Sequence, residues 1–173
     1  MFSPAQYIKL ILTPSSYRMG TIADVPEFKK LVAENSRAFL MENARTGLYI
    51  FLKSLLEEGV LEEGDEIITQ GYTCNAAINP ILWLNLTPRY VDIDVDNYNM
   101  SFDDLRKKLG SRPKVIIAQH TYGNPVDIDE IRELATKIDS HYSPIIIENC
   151  AHTLGNEFNE KLIGSKGDAT IFS

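Results

Sequence analysis

Cysteine and positive charge are both scarce in this sequence. Its 173 residues include two cysteines, Cys74 and Cys150, and its 17 Lys and Arg residues stand against 24 Asp and Glu residues, for a net charge of −7. Both cysteines lie beside apolar segments, which favours reduced thiols and a cytoplasmic setting over a disulfide framework. Excess negative charge opposes binding to phosphate backbones, so we expect no nucleic-acid partner.

Several motifs are absent as well. The cysteines and the three histidines show neither CxxC nor HExxH spacing, so we predict no metal site. GxGxxG and GxxxxGK[ST] patterns are missing, which argues against dinucleotide and P-loop binding. No apolar run approaches the ~20 residues of a membrane-spanning helix. Residues 7–14 are too short for a signal peptide and lack its cleavage site, so we expect no membrane association.

The sequence does contain a regular alternation of predicted strands and helices. Hydrophobic content of 44% and charged content of 24% are typical of one soluble domain. Residues 1–25 are predicted to form an irregular lead-in without regular secondary structure, and residues 26–40 are predicted to form a helix. From Ala44 onward, apolar residues recur with helical spacing, and Ser101 and Asp127 are positioned to cap two later helices. The predicted strands are residues 65–70, 88–93, 115–118, 145–147 and 168–173, with a small hairpin at residues 156–163. The alternation predicts an α/β fold with a mostly parallel sheet and flanking helices.

The segment IIIENCAHTLG, residues 145–155, is the most informative part of the chain. Its three isoleucines predict a strand buried on both faces. Polar residues follow at once, and the carboxyl ends of parallel strands are where open α/β sheets bind ligands. A Cys150–His152 nucleophile pair is weakly supported, because residues two apart need not face each other.

Six segments in series resemble the DegT/DnrJ/EryC1/StrS family of pyridoxal-phosphate (PLP)-dependent sugar aminotransferases. They are ARTGLYIFLKSL, GDEIITQGYTC, PRYVDIDVDNYNM, AQHTYGNPVDIDEI, IIIENCAHTLG and GSKGDATIFS. The resemblance implies that residues 26–173 form the N-terminal part of the PLP-binding large domain of a type I aminotransferase fold, without the C-terminal small domain. It also implies a nucleotide-sugar substrate, an amino-acid donor such as glutamate, and a homodimer of the full-length protein.

The resemblance assigns cofactor-binding roles to eight residues. The phosphate group is expected at the start of a helix, where unpaired N–H groups and the helix dipole favour an anion. Asn149 stands where the family has an aspartate beside the ring nitrogen, and Glu148 cannot replace that aspartate because neighbours on a strand point to opposite faces. His152 matches the residue at the ring hydroxyl. The eight are Ala44, Arg45, Thr46 and Ser173 at the phosphate, and Tyr72, Cys74, Asn149 and His152 at the ring.

Some alternatives remain open from the residues themselves. Thr46 serves equally as a plain helix cap, Tyr72 as a core aromatic residue, and His120 either lines the site or is structural. The family's Schiff-base lysine follows a Phe-Ser pair, so we expect it beyond Phe172 and Ser173. The chain given is then a catalytically inactive portion of an aminotransferase. The alternatives are a non-catalytic homologue that binds a sugar nucleotide or partner subunit, and a PLP-dependent sugar dehydratase.

Overall fold

A single parallel sheet is the centre of the fold. The computed structural model of the protein describes residues 9–12 and 38–173. Seven strands form the sheet in the order β2-β1-β9-β6-β5-β3-β4, and each neighbouring pair is parallel. They are β1 (Lys9–Leu12), β2 (Ala38–Met41), β3 (Glu66–Gln70), β4 (Thr87–Val91), β5 (Val115–Gln119), β6 (Ile145–Asn149) and β9 (Ala169–Ile171). The predicted hairpin is confirmed as an antiparallel pair, β7 (Glu157–Phe158) and β8 (Lys161–Leu162).

Within residues 38–173, four α-helices connect the strands: α1 (Ala44–Glu57), α2 (Asn75–Trp83), α3 (Phe102–Lys108) and α4 (Ile128–Ile138). Short 3₁₀ turns at Leu109–Ser111 and Thr121–Gly123 complete the connections. The predicted caps are confirmed, because the Ser101 side chain accepts the N–H of Asp104 and the Asp127 side chain accepts the N–H groups of Asp129 and Glu130. Among the described helices, none is long and apolar enough to cross a membrane.

Each face of the sheet carries its own hydrophobic cluster. Side chains alternate between faces along a strand, so Ile117 and Ile147 pack with Leu52 of α1 on one side. Ile116 and Ile146 pack with Ile131 of α4 on the other side. The predicted α/β fold with a mostly parallel sheet is therefore confirmed. The alternation also determines which polar residues at the strand ends reach which side.

Two predictions for the first 40 residues are wrong where the structure describes them. Ala38–Met41 forms strand β2 rather than the end of a helix, and Lys9–Leu12 forms strand β1 rather than an irregular lead-in. Hydrogen bonding between these two strands, in register from Lys9↔Ala38 to Leu12↔Met41, overrides the local pattern. The remaining parts of both predictions, residues 1–8, 13–25 and 26–37, lie outside the described residues.

Candidate functional site

A cavity of about 220 Å³ lies at the carboxyl ends of the central strands, beside the start of α1. Strand β6 contributes Asn149 to it, and the loop after β6 contributes His152. The walls are mostly apolar, from β5, β9, α1 and α2. The lining residues are Ala44, Leu48, Cys74, Ala76, Ala77, Ile117, Asn149, Ala151, His152, Ile171 and Ser173. Five of the eight sequence-predicted site residues thus meet in one space, and Arg45, Thr46 and Tyr72 do not line it.

Asn149 faces this cavity from the end of β6. Its side chain is half-buried and lies on the same face of the sheet as Ile147. The Asn149 Oδ1 atom accepts the N–H of Ala151 at 3.3 Å, and its Nδ2 atom donates to Gln119 Oε1 at 3.5 Å. The amide is therefore held at both ends, by Ala151 of the cavity wall and by Gln119, which does not line the cavity.

Glu148, one residue earlier, is fully buried on the opposite face. It accepts hydrogen bonds from His120 Nε2 at 3.0 Å, from the N–H of Gly164 at 3.0 Å, from that of Lys166 at 2.9 Å, and from that of Gly167. Burial by itself would raise the pKa of Glu148, but the hydrogen bonds and charge of His120 and the backbone donors outweigh it and lower that pKa. Glu148 therefore holds the loop before β9 in place by hydrogen bonds, and it does not line the cavity.

His120 belongs to this buried network and does not line the cavity. Its Nδ1 atom accepts the N–H of Val126 at 2.9 Å, so in the neutral ring Nε2 carries the proton that binds Glu148. With Cys150, these two residues form a cluster whose ligand-type atoms lie within 4.8 Å of one another. Both ring nitrogens and both Glu148 oxygens already have protein partners, so the geometry supports the structural role for His120.

His152 is exposed and stacks on Tyr122, with ring centroids 5.8 Å apart and planes 8° from parallel. The backbone N–H of Tyr122 donates to His152 Nδ1 at 3.2 Å. An acceptor role for Nδ1 places the proton of the neutral ring on Nε2. His152 therefore offers an N–H donor at the cavity rim.

Tyr72 belongs to an exposed group of three tyrosines next to the cavity. Its hydroxyl is 2.6 Å from that of Tyr122, and its ring lies 6.0 Å from Tyr98. The hydrogen bond to Tyr122 raises the pKa of Tyr72. Tyr98 and Tyr122 were not singled out from sequence. One sequence feature could have identified both: each tyrosine follows a different predicted strand, and the carboxyl ends of parallel strands lie at the same edge of the sheet.

The start of α1 also lines the cavity. Ala44 lines it, whereas Arg45 is exposed and Thr46 lines a separate surface pocket with Tyr49 and Trp83. The Asn43 side chain caps the helix by accepting from the N–H of Thr46 at 2.9 Å and from its hydroxyl at 3.2 Å. The N–H groups of Ala44 and Arg45 have no partner within the helix. An anion at this point would meet those two N–H groups, and Ser173 lines the same cavity.

The donor set and shape fit a small phosphorylated aromatic ring. The lining combines the start of α1 and a serine with two side-chain donors, Asn149 and His152, and with apolar residues that include Ala77, Ile117 and Ile171. Apolar walls with a few placed polar groups are typical of cofactor sites. Cys74, at the position expected to cover the ring, is exposed and caps α2 through its sulfur.

Comparison with known proteins agrees with this arrangement. The structure resembles proteins of the type I PLP aminotransferase fold. The chain belongs to the DegT/DnrJ/EryC1/StrS aminotransferase family, which matches residues 16–173. It is 32% identical over 149 residues to GDP-perosamine synthase from Escherichia coli O157:H7, an alignment that covers 86% of this chain and 40% of that relative.

Two solved structures define the likeness further. The sugar aminotransferase CalS13 from Micromonospora echinospora superposes with a TM-score of 0.54 at 30% identity, over 62% of this chain and 29% of that one. The E. coli GDP-4-keto-6-deoxy-D-mannose-3-dehydratase with bound hydrated PLP superposes with a TM-score of 0.63 at 28% identity, over 72% and 31%. This chain thus spans well under half the length of these relatives.

Proposed function

We propose that the full-length protein is a PLP-dependent aminotransferase that moves an amino group from a glutamate-like amino acid to a keto-sugar nucleotide. The observation that carries the proposal is the single cavity in which Ala44, Asn149, His152 and Ser173 meet. PLP supplies an electron-accepting ring when it is bound. The proposed setting is the cytoplasm, and the proposed assembly is a homodimer.

The residues of this chain would divide the work of holding the cofactor. The N–H groups at the start of α1 and Ser173 would bind the phosphate. His152 would donate from Nε2 to the ring hydroxyl, and Asn149 would face the ring nitrogen. No lysine is among the described residues that line the cavity, so we propose that the covalent lysine lies beyond Ser173.

A sugar dehydratase of the same family is the second candidate. The structural likeness to the E. coli dehydratase supports it, at a TM-score of 0.63 and 28% identity. The two candidates share the cavity and differ in the fate of the sugar.

Product analysis separates the candidates. Full-length protein would be incubated with PLP, glutamate and a 4-keto-sugar nucleotide, and the sugar analysed by mass spectrometry. An aminotransferase yields a sugar with an amino group in place of the keto oxygen, whereas a dehydratase yields one that lacks a ring hydroxyl. Protein that binds PLP but leaves the sugar unchanged would favour a non-catalytic homologue.

Cofactor binding itself is tested with matched histidine variants. Replacing His152 with alanine should weaken PLP binding roughly tenfold, the loss expected for one charge-assisted hydrogen bond. His141→Ala is the control, because His141 is 94% exposed and belongs to the loop between α4 and β6. Equal PLP affinities of the two variants, measured by cofactor absorbance, would argue against this cavity as the site.

A further inference from the structure

The orientation of the Asn149 amide is determined by its neighbours. A backbone N–H can only donate, so the Asn149 atom 3.3 Å from the Ala151 nitrogen must be Oδ1. The other end of the same amide is therefore Nδ2, which carries two hydrogens. Asn149 Oδ1 thus accepts from Ala151 with one of its two lone pairs, and Nδ2 keeps one hydrogen beyond the one directed at Gln119.

Gln119 reinforces this orientation from the adjacent strand. Gln119 and Asn149 are direct partners in the β5–β6 register. The Gln119 Nε2 atom donates to Thr121 Oγ1 at 3.1 Å and faces the carbonyl oxygen of Tyr72 at 3.5 Å. Because a carbonyl can only accept, the Gln119 amide nitrogen must lie on that side and its Oε1 must face Asn149.

The Oε1 atom of Gln119 then has two donors around it. The hydroxyl of Thr73 donates to it, and Asn149 Nδ2 lies 3.5 Å away. Turning the Asn149 amide would set two oxygens, Asn149 Oδ1 and Gln119 Oε1, against each other. It would also set an amide nitrogen against the N–H of Ala151. Both contacts are repulsive, so the chain holds one orientation.

This orientation has a consequence for the ring that the cavity takes. One hydrogen of Asn149 Nδ2 points to Gln119, and the second is available to a ring nitrogen in the cavity. A donor binds a nitrogen with a lone pair and opposes one that carries a hydrogen. No carboxylate is among the described residues that line the cavity, since Glu148 is committed on the other face of the sheet.

We propose that Gln119 is a positioning residue, which holds Asn149 as a hydrogen-bond donor so that the site selects the cofactor with an unprotonated, uncharged ring nitrogen. The inference rests on the proposed function, because it concerns PLP in the same cavity. It goes beyond that function because it specifies the protonation state of the PLP ring nitrogen in the site. It also identifies Gln119, outside the cavity, as the residue that favours this state.

The direct test uses full-length protein and PLP labelled with ¹⁵N in the ring. The ring ¹⁵N chemical shift at pH 7 should be that of an unprotonated pyridine in the wild type and that of a pyridinium in Asn149→Asp. A pyridinium shift in the wild type would overturn the inference while leaving the proposed function intact. Absence of any PLP binding would overturn both.

Cofactor analogues test the role of Gln119. The wild type should bind PLP roughly tenfold more tightly than 1-deaza-PLP, which keeps the phosphate and the shape of the ring but has a C–H in place of the ring nitrogen. In Gln119→Leu the preference should fall severalfold, because Asn149 loses the partner that fixes it. Thr121→Val also removes a partner of Gln119. In this variant the preference for PLP should fall less, because the Tyr72 carbonyl still binds Gln119. A Gln119→Leu variant with the wild-type preference and an unchanged ring ¹⁵N shift would assign Gln119 a purely structural role.

Discussion

Asn149 differs from aspartate only in carrying an amide nitrogen where a carboxylate has a second oxygen, and it faces the cavity from the end of a central strand. A carboxylate would favour a protonated ring and so spread negative charge that develops during amino transfer. Replacing Asn149 with aspartate in the full-length protein should therefore speed amino transfer from glutamate. Stopped-flow absorbance should show an increase of up to about a hundredfold, which corresponds to ~3 kcal/mol.

Asn156→Asp is the control for the added charge, because Asn156 is exposed and precedes the β7–β8 hairpin. It should leave the rate unchanged. Equal rates for wild type and Asn149→Asp would show that Asn149 does not govern the chemistry of the cofactor ring.

His152 depends on Tyr122 for its position. Tyr122 supplies the N–H that binds His152 Nδ1 and the ring on which His152 stacks. Replacing Tyr122 with alanine should loosen this contact and increase the minor Nδ1–H tautomer of His152, seen in long-range ¹H–¹⁵N NMR spectra. Tyr122→Phe, which loses only the hydroxyl bond to Tyr72, should keep the Nε2–H tautomer. A tautomer ratio that is the same in both variants would count against this positioning.

At the scale of elements, local signals predicted most of the helices and strands. The spacing of apolar residues after Ala44 predicted α1, and the capping residues Ser101 and Asp127 predicted where α3 and α4 begin. These signals depend only on near neighbours in the chain. The helix expected over residues 26–40 was wrong at Ala38–Met41, because pairing with Lys9–Leu12 depends on a distant segment.

In the candidate site, too, features that depend on near neighbours were predicted and features that depend on distant segments were not. The polar end of β6 was found from sequence, and the opposite faces of Glu148 and Asn149 followed from the two-residue period of a strand. The partnership of Gln119 with Asn149 depends on the register between β5 and β6, and local sequence does not determine it because the two residues are 30 positions apart. The stacking of Tyr122 on His152 likewise joins two separate loops.

Gly164, in the loop after β8, packs closely against Thr170 of strand β9 and against Phe172. It has a φ of +92°, and a Cβ atom there would lie 2.7 Å from Thr170 Cγ2 and 2.8 Å from the ring of Phe172. Gly155 has a similar φ of +82° with no atom within 4 Å of such a Cβ. Both alanine variants should lose about 1 kcal/mol for the left-handed backbone. Gly164→Ala should lose a further 1–3 kcal/mol, roughly, because of overpacking.

Urea denaturation of the two glycine variants measures this difference directly. The comparison separates packing from backbone strain, since both glycines have a positive φ of similar size. Variants of equal stability would show that the loop after β8 yields easily and is not packed tightly against β9.

For the whole molecule, Glu148 joins elements that are far apart in the chain. Its carboxylate binds His120 after β5 and three N–H groups before β9, so one buried charge holds two loops to the back of β6. A glutamine at this position would turn an NH₂ group towards N–H donors that the carboxylate now accepts, and a buried donor left unpaired typically costs about 3 kcal/mol at most. Glu148→Gln should lower the free energy of unfolding at pH 7 by up to that amount.

The acid dependence of stability follows from the lowered pKa of Glu148. In the unfolded chain a glutamate titrates near about 4.3. Because the folded pKa is lower, the contribution of Glu148 is complete above that value and is lost as the pH falls through the folded pKa. Wild-type stability should therefore decline below about pH 4.3 more steeply than that of Glu148→Gln, in urea titrations between pH 7 and pH 3. Glu160→Gln, at the exposed turn of the hairpin, should retain the wild-type slope. If Glu148→Gln declined as steeply as the wild type, the carboxylate of Glu148 would not be the group that couples the fold to acid.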